Sequence, residues 1–112
     1  AALAAEHATA LRLSPDHSFA FCGVAEPVVG VLQDALRDLA LVIAVDDPRA
    51  SISACVGSRG CSWAHADTVS AAAQLASRGP RSARVHLSAC AKACGAPAKV
   101  HHLVADHTGT FR

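Results

Sequence analysis

Four of the five cysteines fall into two close pairs, and this arrangement constrains the chain more than any other feature. Cys55 and Cys61 bracket the stretch ACVGSRGC, and Cys90 and Cys94 bracket ACAKAC, each set in glycine or other small residues. Two short loops can each deliver two sulfurs to one small anionic core, provided nothing bulky keeps the backbones away. Gly57, Gly60 and Gly95 allow that approach, and Ala89, Ala91 and Ala93 keep the second loop slim. A cubic 4Fe-4S cluster held by Cys55, Cys61, Cys90 and Cys94 is the reading these residues favour. Main-chain N–H groups turned toward sulfur would then tune its potential.

Three other readings compete. A structural zinc site usually shows tighter Cys-x-x-Cys knuckles than the CxxxxxC and CxxxC spacings here. Disulfides would need an oxidising compartment, and the odd cysteine count and alanine-rich composition speak against one. Buried free thiols are common for single cysteines but do not explain two loop pairs. Cys22 lies outside both pairs and reads as a packing thiol.

The string SACVGSRGCSWAHADT followed by VHLSACAKACGAPA resembles the iron-sulfur region of the nitrite and sulfite reductase superfamily. Within it the chain resembles the precorrin-3B synthases, because the CAKAC loop differs from the CPNxC of assimilatory sulfite reductases. The ADT after the first pair and the HxSxCxKxC around the second make the likeness specific, and it runs from about Leu11 to the end. The resemblance implies that the four paired cysteines hold a 4Fe-4S cluster. It implies an α+β fold, a nitrite/sulfite reductase-like half domain with one mixed sheet, packed helices and the two cysteine loops at one end.

The same resemblance implies an oxidoreductase acting on a tetrapyrrole, hydroxylating and lactonising a precorrin with oxygen in cobalamin biosynthesis. Its partners would be the tetrapyrrole, an electron donor and the missing N-terminal half of the same enzyme. A sirohaem-dependent nitrite or sulfite reductase is the sibling alternative, in which Cys94 would bridge cluster and sirohaem iron. Non-catalytic alternatives are an electron-transfer module or a zinc-stabilised domain. No residue of the chain identifies an oxygen-activating or catalytic centre. The family's RxTPxR segment matches Arg12 in its first arginine, whereas His17 stands where the second is expected. Arg12, Arg59 and Lys92 are the cations expected to meet substrate carboxylates. The family's usual glycine before the third cysteine is Ala89 here, whose methyl would crowd the loop if a positive φ were required.

Read in order, the first ten residues suggest a helical or frayed segment, and Leu11–Ser14 and Phe19–Val24 suggest a strand pair, the second strand buried. Glu26-Pro27 opens an amphipathic helix with Val28, Val31, Leu32, Ala35, Leu36 and Leu39 on its apolar side. Leu41–Val45 is ambiguous between strand and helix end, and Asp46–Arg49 breaks the chain. A further helix is expected from near Cys61, with its positive N-terminal end beside the cluster and Trp63, Ala66, Val69, Ala73 and Ala76 on one core-facing stripe. Gly79-Pro80 punctuates its end, and Arg78, Arg81 and Arg84 face water. Arg84–Ser88 and the KVHHLVA stretch read as strands, with His86 bonded to neighbouring backbone and His101 and His102 on opposite faces.

These readings divide the chain into residues 1–45, the end of a ferredoxin-like half domain, and 46–112, the cluster-binding region. With 112 residues and no methionine, it reads as a fragment of a larger enzyme. A net charge of +1 excludes a strongly basic nucleic-acid surface. No apolar run reaches the roughly 18 residues of a membrane span. A cytoplasmic location is the expectation.

Overall fold

The computed structural model describes residues 2–15, 18–79 and 82–112. The expectations placed on His17, Pro80 and Arg81 lie outside them. The chain divides into two compact units, Ala1–Ile43 and Ala44–Arg112.

In the first unit, α1 (Ala2–His7) precedes an antiparallel hairpin of β1 (Ala10–Leu13) and β2 (Phe19–Cys22). The register sets Leu11 opposite Phe21 and Leu13 opposite Phe19, so the period-2 alternation places all four on one face. The strand pair was legible, but its burial was not. Leu13 is 80% exposed and Phe19 44%, and Cys22 is a half-buried thiol rather than a core one.

A 3-10 turn at Glu26–Val28, with Pro27 early in it, leads into α2 (Val29–Asp38). Leu32 and Leu36, one turn apart, are buried, whereas Val31 and Leu39 are exposed. The apolar stripe is narrower than the periodicity suggests. Arg37 bonds Asp34 on the outer side (2.6 Å). Ala40 takes a left-handed φ of 57°, and residues 41–44 form neither strand nor helix.

The second unit holds a three-stranded parallel sheet of β3 (Ile52–Ala54), β4 (Val85–Ser88) and β5 (His101–Val104), with β4 central. Helix α3 (Thr68–Ala76) lies in the β3-to-β4 crossover and packs against both strands. Paired on both edges in a parallel sheet, β4 lies in the interior, and all four of its residues are buried. The fold is thus α+β, but with two separate sheets instead of one mixed sheet.

Helix α3 starts at Thr68, not near Cys61. Asp67 caps it, its carboxylate accepting from the N–H groups of Val69 and Ser70 (3.1 Å each). The inward face is accordingly Thr68, Ala71, Ala72 and Leu75. Trp63 stands before the helix and is 67% exposed, so the expected core role is overturned.

Candidate functional site

Both cysteine loops leave the sheet at the same end. Cys55 follows directly on β3, and Ala89-Cys90 follows directly on β4. Because the two strands are parallel neighbours, their carboxyl ends open side by side, the usual place for a ligand site on a parallel sheet. The pairing continues into the loops, with Cys55 N–H donating to the Leu87 carbonyl (3.0 Å) and His65 N–H donating to the Ala89 carbonyl (2.9 Å). Ala89 N–H in turn donates to Cys55 Sγ at 3.2 Å. That N–H···S bond joins the two loops at a sulfur.

The turn after β5 reaches the same end. Ala105 N–H donates to the Ser88 carbonyl (2.8 Å). Gly109, at φ 82°, lies so close to the first cysteine loop that an added Cβ would stand 3.0 Å from the His65 carbonyl.

All five cysteines are free thiols, with Cys55, Cys61 and Cys90 half-buried and Cys94 exposed. Among the described residues, no three His, Cys, Asp or Glu side chains close on a point that would hold a single metal ion. A cubic cluster makes a different demand, since each thiolate binds its own iron corner and the sulfurs stand apart around a cage. The soft donor set, the small flanking residues and an amide already aimed at sulfur fit such a group. Ala89 is 1% exposed and is not among the left-handed residues, so its methyl does not strain the loop. The left-handed bends fall instead at Ala93 (φ 54°) and Gly95 (φ 73°).

The first loop is braced from behind. Gly57 takes φ 61°, and a Cβ there would meet Thr68 Oγ1 at 2.5 Å and the Thr68 nitrogen at 2.8 Å. The buried Thr68 hydroxyl donates to the Cys55 carbonyl at 2.6 Å. Arg59 does not extend from the loop alone: its Nε reaches both Asp67 carboxylate oxygens (3.1 Å each), and its Nη2 reaches Ser70 Oγ (3.0 Å). These bonds, first Arg59 and then the Ser70 N–H and hydroxyl, hold the Asp67 carboxyl well below the usual carboxylate range.

Lys92 places Nζ 4.2 Å from the centre of the Trp63 ring, a cation–π contact between the two loops. Arg12 lies exposed on β1 in the other unit.

A polar row that sequence reasoning missed runs across the strands feeding the loops. Ser53 Oγ shares a hydrogen bond with His86 Nδ1 (2.8 Å), and Ser88 Oγ shares one with His102 Nε2 (2.7 Å). The His86 and His102 rings stand 5.4 Å apart in register. His86 is therefore bonded to a serine side chain, where neighbouring backbone was expected. The HxS element and the HH pair were visible and both strands were expected, but their juxtaposition depends on the parallel register of β4 and β5, and the Ser53 bond on a strand, β3, that the sequence did not announce.

No protein-family model matches the chain. It is 38% identical over 94 residues to the precorrin-3B synthase of a Sinorhizobium species, an alignment covering 80% of this chain and 20% of that protein. The chain thus spans about one fifth of the length of the relative it matches. The kinship implied by the two cysteine loops holds: this chain is related to a portion of a precorrin-3B synthase.

Proposed function

We propose that this chain is the cluster-binding part of an oxidoreductase that acts on a tetrapyrrole, in the manner of a precorrin-3B synthase, and that Cys55, Cys61, Cys90 and Cys94 hold a 4Fe-4S cluster. The observation that carries this reading is the meeting of the two loops at the carboxyl ends of β3 and β4, joined by the Ala89 N–H bond to Cys55 Sγ. Soft thiolates in small-residue loops favour iron-sulfur chemistry, and an amide on sulfur is a known tuning element.

When bound, the cluster would supply one-electron transfer. The residues of this chain would hold it, keep its loops in register and offer cations at its rim. Arg12, Arg59 and Lys92 are the proposed contacts for substrate carboxylates. Arg59 already directs Nε to Asp67 and Nη2 to Ser70, and Lys92 rests on Trp63, so either would serve a substrate by sharing or leaving a partner. The electron donor, the oxygen-dependent hydroxylation and lactone formation, and the nitrite/sulfite reductase-like fold that completes the site belong to the same proposal. A cytoplasmic setting suits thiols that must stay reduced. Among the described residues, no helix is long and apolar enough to cross a membrane.

The test is anaerobic reconstitution with ferrous iron and sulfide. Wild-type chain should take up both, show broad visible absorption and bleach on reduction, and Ser in place of any of the four cysteines should lower the bound iron severalfold. Zinc bound without sulfide, or iron uptake indifferent to all four substitutions, would overturn the reading.

A further inference from the structure

We propose that Trp63 and Lys92 form a staple between the cysteine loops, making Lys92 a positioning residue that holds the second loop on the first. The proposal rests on the reading of the four cysteines as one shared site, and it gives Lys92 a task that does not require substrate.

Trp63 lies two residues after Cys61, and Lys92 lies midway between Cys90 and Cys94. Their contact therefore joins a segment next to one thiol of the first loop to the tip of the second. At its base the second loop is already tied by two bonds of Ala89, one to His65 N–H and one to Cys55 Sγ. Farther along, the hydrogen bonds of the described residues stay inside the loop, Ala93 N–H to the Cys90 carbonyl and Ala96 N–H to the Ala93 carbonyl. Ala93 and Gly95 take left-handed φ values of 54° and 73° within it.

Among the described residues, the Lys92 ammonium over the indole is thus a polar tie between the tip and the first loop. It also accounts for a tryptophan that is 67% exposed. Burial does not hold the ring there, but its π face can take a cation while water reaches the rest. A contact of this exposed kind corresponds to about a two- to fivefold bias toward the closed loop.

Trp63 is the single tryptophan of the chain, so its emission reports the contact directly. The test uses the apo chain and a short thiol cross-linker, dibromobimane, with products mapped by peptide mass. Lys92→Met and Trp63→Leu should each slow cross-linking between the loops about two- to fivefold, leaving the Cys90–Cys94 product within the second loop unchanged. Lys92→Arg and Trp63→Phe, which keep a cation and a ring, should behave as wild type. Lys92→Met should also alter Trp63 emission without altering the far-UV spectrum, and slow iron and sulfide uptake by a similar factor. Wild-type cross-linking rates in Lys92→Met, with the emission changed, would overturn the staple. Should wild-type chain take up no iron, the cluster reading fails, and the cross-linking comparison still decides the staple.

Discussion

Thr68 links the helix to the cysteine site through one atom. Its side chain is fully buried, and its hydroxyl donates to the Cys55 carbonyl at 2.6 Å. Thr68→Val keeps the shape and removes the donor, so it should cost about 1–3 kcal/mol in urea unfolding, while Thr68→Ser should cost much less. Gly57→Ala tests the same contact from the other side. The left-handed backbone alone opposes a side chain by roughly 1–2 kcal/mol, and the added methyl would press on Thr68. The carboxylates make a separate prediction. Asp106 is held down to about 2 by the Thr108 hydroxyl and the N–H groups of Thr110 and Thr108, and Asp67 is lowered by Arg59 and Ser70. A depressed folded value means the stabilising contribution is complete above the unfolded value of 3.8 and fades as pH falls through the folded one. Stability from these groups should therefore be level from neutral pH to about 5 and decline progressively below it. Asp106→Asn should flatten that decline in acid-unfolding curves.

Strand β4 concentrates the packing of the second unit. Leu87 is 2% exposed at the centre of the parallel sheet, and Leu87→Ala should cost about 2–5 kcal/mol in thermal or urea unfolding. Leu13 has the same side chain on an 80% exposed strand, and Leu13→Ala should stay within about 0.5 kcal/mol. Period-2 alternation announced both strands, but it does not say which sheet receives a partner layer, and so the burial of β2 was misjudged. Strand β3 is too short for any period to show and was missed altogether. The late start of α3 has a plainer cause. Alanine-rich spacing extends the apparent helix back toward Cys61, yet Asp67 ahead of Thr68-Val69-Ser70 is an N-cap signature that marks the true first turn. The cysteine pairs were legible because loop thiols in pairs have few bland explanations. The Trp63–Lys92 contact was not, since it joins residues that no local pattern relates.

The two units differ in what holds them. Among the described residues, the buried apolar side chains of Ala1–Ile43 are Leu32 and Leu36, beside a hairpin of two strands. Isolated two-stranded hairpins are marginal in water. Ala44–Arg112 has Val85, Leu87, Ala89 and Ala105 buried around a three-stranded sheet, with Thr68, His86 and Ser88 buried and bonded beside them. Its backbone is closed on both sides of β4, and each cysteine loop begins where a ladder bond ends. Autonomy should follow that inventory. Residues 44–112 produced alone should give a dispersed amide spectrum, a cooperative melt and retained protection of the Ala89 N–H, whereas residues 2–43 alone should give the spectrum of a largely unfolded chain. A collapsed spectrum for 44–112 would mean that the cysteine loops depend on the first unit for their geometry. A dispersed one places the whole four-thiol arrangement within the parallel sheet, where both loops begin at the carboxyl ends of neighbouring strands.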